Sequence, residues 1–215
     1  MISSGIQQRL GTIEMQVKLE QIADIRTGYT IRERLVKSIP GDKFLVQMCD
    51  FESLNQGVVD KVKTTNMKVR SLDWTLQERD LLMKARGTDF TPVVVQKMFH
   101  GAVFTHPLLR IRIDREFAVP EFIAWLLSRP NIQAQLQRLT AGTLLQMLKL
   151  EDLKSLELYL PSLERQQKVR QLVQLMNQEQ KLLGHLKTKR KQLIGCSIEK
   201  LLLEEPMGSA KIIEV

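Results

Sequence analysis

The sequence predicts a mixed α+β protein in which a β-rich globular domain is followed by one long C-terminal coiled-coil helix. Two observations lead to this prediction. From Val17 to Ile113, short segments of alternating apolar and polar residues are separated by Gly, Pro, Asn and Asp, which favour turns. After Pro161, apolar residues instead recur at steps of three and four as far as Leu203, a pattern typical of a coiled coil.

The β-rich region is predicted to contain about six to eight short strands. The clearest signal runs from Leu109 to Ile113, where apolar residues alternate with Arg110 and Arg112. The other candidate strands are VKLEQIADIRTGYT (17–30), DKFLVQMCDF (42–51), NMKVRSLDW (66–74), RDLLMKARG (79–87), TPVVVQKMF (91–99), GAVFTH (101–106) and LYL (158–160).

Two short helices are predicted between these strands and the long helix. Pro120 stands at a suitable first helical position for the segment PEFIAWLLSR, which must end before Pro130. The next segment has Asn131 as its predicted N-cap and ends at Gly142, a residue that commonly terminates helices.

The long helix is predicted to begin after Ser162, whose hydroxyl can cap it, with Glu164 in the first turn where the helix dipole favours an anion. Polar Glu179 and Arg190 share the register of its apolar seam. The predicted seam consists of Val169, Leu172, Met176, Leu183, Leu186 and Leu193.

This helix would be about 60 Å long at its ordinary rise per residue, which is longer than a compact domain of this size needs. We therefore expect the seam to pair with a second helix. The alternative is that the helix folds back over the β-rich region and completes its core. The sequence predicts four parts: a lead-in at residues 1–16, the globular domain at 17–161, the helix at 162–203 and a flexible tail at 204–215.

The charge is compatible either with an ordinary solvated surface or with a polyanionic partner. The chain has 32 Lys and Arg against 24 Asp and Glu, a net charge of +8, and the helix is its most basic part per residue. A basic domain of this kind is the electrostatic signature of nucleic-acid binding.

Enzyme signatures are missing from the sequence. It contains no GxGxxG, GxxxxGK[ST], GxSxG or HExxH motif. Cys49 and Cys196 lack CxxC spacing and are expected to be buried or half-buried, and the three histidines are scattered, so we predict no metal site. Asp80, near Lys84 and Arg86, is interpreted as part of a solvated turn rather than an acid–base cluster.

Signal-peptide and membrane-span patterns are also missing from the sequence. The N-terminus lacks the basic-then-apolar order of a signal peptide, and no apolar run approaches the roughly 20 residues of a membrane span. We expect a cytoplasmic protein without membrane association.

The order of segments resembles one family. VKLEQIADIRTGYT, then RDLLMKARG, then PEFIAWLLSRPNIQAQLQRLTAGTLLQMLKLEDLKSLELYLPSLERQQKVRQLV and a long helix is similar to the target recognition domain and adjoining helix of specificity (S) subunits of type I restriction–modification systems. The resemblance extends from Val17 to about Leu203, and its most specific part is Thr143 to Gln167. Such subunits usually carry two recognition domains and two helices, so this chain looks like a half-size form.

The resemblance implies a non-catalytic protein that binds double-stranded DNA and reads one half of a bipartite site. It would dock a methyltransferase (modification) subunit, which uses S-adenosylmethionine, and through the complex a motor-nuclease (restriction) subunit, which uses ATP and magnesium. The chain itself would need no cofactor. Because full-length members pack their two helices antiparallel, two copies of this chain would pair through the helix seam and read an interrupted palindrome.

DNA contacts are expected from basic and amide side chains on turns and strand ends, since Arg and Lys bind phosphates and Arg, Asn and Gln read base edges. Lys84, Arg86 and Thr88, at the end of the RDLLMKARG segment, are the first choice. The other candidates are Arg32, Arg34, Lys61, Lys63, Asn66, Lys97 and Gln146.

Two other functions stay open at this point. A stand-alone dimeric DNA-binding regulator would share the basic charge and the helix but would have no methyltransferase partner. A nuclease with an unrecognised site would cleave DNA in the presence of magnesium by itself.

Overall fold

The computed structural model describes residues 15–31, 43–56, 63–65, 72–140 and 147–203. The strands in these residues are β1 Met15–Lys18, β2 Ala23–Thr27, β3 Lys43–Val46, β4 Lys63–Thr65, β5 Leu81–Lys84, β6 Val93–Val94, β7 Val103–Phe104, β8 Leu108–Ile113 and β9 Glu157–Leu160. The helices are α1 Leu19–Ile22, α2 Phe51–Gln56, α3 Pro120–Leu127, α4 Pro130–Thr140, α5 Leu150–Lys154 and α6 Leu163–Leu203. The predicted mixed fold with a long last helix is confirmed.

The strands form three sheets. The largest has the order β2-β8-β5-β6 and is antiparallel throughout. A second sheet has the order β4-β3-β7, in which β3 and β7 are parallel. The third joins β1 to β9, so the first described strand pairs with the strand that precedes α6.

Two hydrophobic clusters lie on opposite faces of strands β5 and β8. Leu81 and Met83 belong to one cluster, together with residues of α3, α4 and β9, whereas Leu82 and Leu108 belong to the other, with Phe51. Strand β5 is therefore covered on both faces, and this explains its uninterrupted apolar run.

Gly28 lies where two chain segments come closest. A Cβ at this position would lie 2.3 Å from the carbonyl carbon of Thr105, a contact that no side chain can make. Its N–H donates to the carbonyl of Leu108 at 2.9 Å. The glycine in the segment VKLEQIADIRTGYT is thus required by a close backbone approach.

Several predicted boundaries need correction. Pro120 is the first residue of α3, as predicted, but α4 begins at Pro130, so Asn131 is inside the helix and is not its N-cap. Proline suits this first helical position because its fixed φ matches the helix and its missing N–H would have no partner there. Gly142 lies outside the described residues. In the segment at 66–74, the described Leu72–Trp74 form a 3-10 turn rather than a strand.

Strand β1 begins at Met15, two residues before the predicted start of the globular domain; residues 1–14 and 204–215 lie outside the described residues. Helix α6 starts at Leu163, directly after the predicted cap Ser162. Its first two turns belong to the globular unit, which runs to Arg170, and the rest of the helix forms a second unit from Gln171.

Gln166 fixes the start of α6 within the globular unit. Its side chain is 1% exposed and accepts a hydrogen bond from the N–H of Val119 at 2.9 Å, while its amide donates to the carbonyl of Pro161 at 2.9 Å. Val119 is the residue before α3, whose N–H has no partner inside that helix. One buried glutamine therefore ties the starts of α3 and α6 together.

Candidate DNA interface

The turn after β5 presents the best-placed exposed cation among the predicted DNA contacts. Arg86 is exposed, and its backbone pairs with Met147 in an isolated antiparallel bridge. Gly87 follows with a φ of 113°, in the region that glycine adopts most easily, and Thr88 is exposed. The RDLLMKARG segment thus folds as a strand with an ordered polar turn at its end.

Helix α4 holds this turn in place. The side-chain amide of Gln137 donates to the carbonyl of Thr88 at 2.8 Å, and the side-chain oxygen of Gln133 accepts from the N–H of Phe90 at 3.0 Å. These glutamines are four residues apart and lie on the same side of α4. Neither glutamine was predicted from the sequence, although both follow the apolar residues Ile132 and Leu136 by one position, at the same spacing of four.

Lys84 has a different environment from Arg86. It is half-buried, and its ammonium group lies 4.6 Å from the centre of the Phe51 ring, where a cation is attracted to the ring face. The neighbouring Ala85 is held on both sides, because its N–H donates to Pro107 and its carbonyl accepts from Leu148. Lys84 therefore contributes to packing, whereas Arg86 is available to a ligand.

The structure does not bring Lys97 together with these residues. Strand β6 runs antiparallel to β5, and the N–H of Val95 donates to the carbonyl of Asp80 at 2.8 Å. The exposed Lys97 therefore follows the N-terminal end of β5, whereas Lys84 and Arg86 lie at its C-terminal end.

The side chains of the remaining candidates lie outside the described part of the structure. Lys63 is in β4 opposite Leu45, but only its backbone is described. The candidates outside the described residues are Arg32, Arg34, Lys61, Asn66 and Gln146.

A group of buried charges supports the start of β5. Arg112 donates to both carboxylate oxygens of Asp80 at 2.8 Å, and Asp80 is 2% exposed. The interpretation of Asp80 as part of a solvated turn is therefore wrong, and its partner is Arg112 rather than Lys84 or Arg86. The hydrogen bonds to Asp80 raise the pKa of Arg112 above its usual value.

Arg110 is buried on the same face of β8. Its guanidinium group donates to the Asp24 carboxylate and, at 3.0 Å, to the carbonyl of Asp73, while its Nε has no partner among the described residues. Burial, and then the charge of Arg112, lower the pKa of Arg110. The alternation in β8 predicted the strand correctly, but the face that carries the arginines is covered as well.

A third ion pair joins α3 to the segment before β5. Arg79 has a φ of 71° and binds Glu121 through two hydrogen bonds, at 2.9 and 2.7 Å. Arg170 approaches the same carboxylate at 3.7 Å. Burial alone would raise the pKa of Glu121, but the hydrogen bonds from Arg79 and the two positive charges lower it below its usual value.

The predicted seam of α6 divides into two parts. Val169 is partly buried against the core of the globular unit, so it is not available for pairing as predicted. The other five predicted seam residues are exposed to solvent; they are Leu172 (67%), Met176 (45%), Leu183 (57%), Leu186 (67%) and Leu193 (68%). Large apolar side chains at this level of exposure mark an interaction surface.

Cys49 and Cys196 are both exposed, in contrast to the expected burial. Among the described residues, no group of three or more His, Cys, Asp and Glu side chains is placed to hold a metal ion. None of the helices in the described part of the chain combines the length and apolar character that crossing a bilayer requires.

The profile of one protein family covers most of the globular unit and the first part of the second unit. The family described as type I restriction modification DNA specificity domain matches residues 13–188. The chain belongs to this family. The type I specificity domain thus includes the globular unit, with the ordered turn at Arg86, and much of helix α6. The resemblance found in the sequence segments is confirmed.

Several solved structures with a similar fold are specificity subunits or belong to type I restriction–modification systems. The HsdS subunit from Thermoanaerobacter tengcongensis has a TM-score of 0.60 and 16% identity, over 92% of this chain and 51% of that one. The S subunit of the type I restriction–modification system from M. genitalium has a TM-score of 0.59 and 15% identity, over 89% of this chain and 46% of its own.

A third structure, described as the basis of complex assembly and conformational transition of the type I R-M system, has a TM-score of 0.58 and 18% identity, over 87% of this chain and 43% of its own. This specificity domain therefore spans about half the length of the structures that it matches. No curated protein is significantly similar to it in sequence.

Proposed function

We propose that this chain is the sequence-reading component of a type I restriction–modification system, in which its globular unit reads one half of a bipartite duplex site. The observation that carries the proposal is the family match, because it includes both the globular unit and most of the helix. The net charge of +8 suits a duplex partner, since neutralised phosphates supply most of the affinity.

The ordered turn after β5 supports a role in reading DNA. Arg86 extends from a backbone that is held by Met147 and, through Thr88, by Gln137. A cation on a fixed turn loses less conformational freedom on binding than one on a mobile loop. An arginine in this position can donate to a phosphate or, as a bidentate pair, to a guanine edge.

Catalysis is assigned to partners in this proposal. A methyltransferase subunit would use S-adenosylmethionine, and a motor-nuclease subunit would use ATP and magnesium. The chain would be a non-catalytic specificity subunit, located with its DNA in the cytoplasm.

Two copies would pair through the exposed seam of α6. Because a two-fold dimer presents the same reading surface twice in opposite orientations, the site would be an interrupted inverted repeat. The helix is 41 residues long, roughly 60 Å, which is enough to separate two half-sites by about one turn of B-DNA.

Selection from a random duplex library tests this function. The full chain, alone and with the methyltransferase subunit of the same genome, is expected to enrich an inverted repeat with a spacer of fixed length. Enrichment of no sequence by either form would contradict the proposal. Specific binding by the chain alone, with no co-purification of the methyltransferase, would instead indicate a stand-alone regulator.

A further inference from the structure

The exposed part of α6 carries two opposite charges inside its apolar seam. From Leu172 to Leu193 the seam follows heptad spacing, and two of its positions are Glu179 and Arg190. Both side chains are exposed, and neither forms an ion pair within the described part of the chain. A charge at a seam position weakens pairing unless the facing residue compensates it.

The positions of these charges are symmetric along the helix. Glu179 and Arg190 lie at equal distances on either side of the point between Gly184 and His185. The same point also relates Leu183 to Leu186, and Met176 to Leu193. If a second copy ran antiparallel with a two-fold axis at this point, each leucine or methionine of the seam from Met176 to Leu193 would face an apolar residue. Each Glu179 would face the Arg190 of the other copy.

Other arrangements leave the charges without compensation. In a parallel pair in register, Glu179 faces Glu179 and Arg190 faces Arg190, which is repulsive. In an antiparallel pair shifted by one heptad, Arg190 faces Leu172 or Leu186. Only the symmetric register matches charge with charge and apolar with apolar residues over the central seam.

We propose that Glu179 and Arg190 select a second copy of this chain as the partner of α6 and fix an antiparallel register centred between Gly184 and His185. The proposal rests on the proposed antiparallel pairing of two copies and adds its register and the two residues that fix it. With apolar residues at positions 179 and 190, the helices could pair in several registers. The two reciprocal ion pairs between Glu179 and Arg190 disfavour all registers but one.

Charge exchange tests the ion pairs in the full chain. Glu179→Arg and Arg190→Glu are each expected to raise the dimer dissociation constant by about tenfold or more, because each puts like charges face to face. The double variant should return it to within about threefold of the wild-type value. Sedimentation equilibrium measures all three. Failure of the double variant to recover would overturn the assignment.

Matched controls come from the other side of the same helix. Lys181 and Glu199 are exposed and lie opposite the seam in the helical projection. Lys181→Glu and Glu199→Arg make the same changes of charge away from the seam, and should leave the dissociation constant within about twofold. A loss as large as that of the seam variants would show that net charge, rather than facing pairs, controls dimerisation.

Disulfide trapping tests the register independently. In a background with Cys49→Ser and Cys196→Ser, chains with Met176→Cys mixed with chains with Leu193→Cys should form a covalent heterodimer. Met176→Cys alone should not cross-link, because its two copies would lie about 25 Å apart along the axis. Homodimeric cross-linking through position 176 would overturn the register while leaving the dimer intact.

A wild-type chain that is monomeric at tens of micromolar would overturn both pairing and register. The library selection would still report separately whether the globular unit reads DNA.

Discussion

The globular unit and the helix beyond Gln171 use leucine in opposite ways. In the globular unit, Leu81, Leu82 and Leu108 are 0% exposed, each buried between strands and helices of the same chain. In the helix, Leu172 is 67% and Leu193 is 68% exposed. The first unit completes its own core, while the second leaves a row of large apolar side chains exposed, as interaction surfaces do.

The charged residues differ in the same way. In the globular unit, the buried Asp80 pairs with Arg112 and the half-buried Arg79 pairs with Glu121, whereas Glu179 and Arg190 in the helix form no ion pair within the described part of the chain. We therefore expect substitutions of buried residues in the first unit to change its stability, and substitutions in the exposed seam of the second to change association.

The largest contrast is expected from one substitution made in both units. Gly28→Ala should destabilise the globular unit by about 3 kcal/mol or more, because its Cβ would overlap the rigid backbone of Thr105. Gly184→Ala has open space around it and should stabilise the helix by up to about 1 kcal/mol, since alanine favours helices. Chemical denaturation followed by circular dichroism measures both. Equal changes in stability for Gly28→Ala and Gly184→Ala would contradict the difference in packing between the two units.

Removing the charge of Asp80 should have the next largest effect. Asp80→Asn leaves Arg112 without a charged partner in a largely buried site, and we expect a loss of about 2–3 kcal/mol in the free energy of unfolding. Asp89→Asn, at an exposed carboxylate in the same unit, is the control and should change stability by less than about 0.5 kcal/mol. A similar small change for both would contradict the structural role of the ion pair.

Glu121 gives a dependence on pH. The pKa of Glu121 is lowered in the folded state, so between the folded and unfolded pKa values the unfolded state binds more protons. The free energy of unfolding therefore rises with pH between these two values. Glu121→Gln should cost about 1–2 kcal/mol at pH 7. The difference from the wild type should shrink as the pH falls below about 4.3 and through the folded pKa. Urea denaturation between pH 3 and 7 measures it; a difference independent of pH would exclude the ion pair as its cause.

Replacing Arg86 should change DNA binding but have the smallest effect on stability. Arg86→Ala should leave stability within about 0.5 kcal/mol and weaken binding to the selected duplex by about tenfold. Lys84→Ala should lower stability slightly, because it removes the contact with Phe51, and should weaken binding less than Arg86→Ala, since Lys84 is half-buried. Lys18→Ala removes an exposed cation from β1 as a control. Equal binding by the Arg86 and Lys18 variants, measured by fluorescence anisotropy, would remove Arg86 from the interface.

Patterns in the local sequence predicted the helices and strands better than they predicted which side chains are buried. The alternation in β8, Pro120 at the start of α3 and the heptad spacing of α6 depend on neighbouring residues along the chain, and all three predictions are confirmed. The burial of Arg110 depends on segments distant in sequence that cover the second face of the sheet. For the same reason, the roles of Asp80 and Gln137 could not be predicted from the residues beside them.

The partial burial of Val169 has a similar origin. Heptad spacing places it in the seam, but the first two turns of α6 pack on the globular unit, so the surface available for pairing begins at Leu172. Spacing identifies the apolar side of a helix but not which part of it the rest of the chain already covers.

The mass of the full chain in solution, measured by sedimentation equilibrium across the micromolar range, tests the pairing of α6. We expect a reversible species of twice the 24.8 kDa of one chain, which is lost when Leu183 and Leu186 are both replaced by Asn. A wild-type mass of one chain throughout that range, identical to that of the variant, would contradict it.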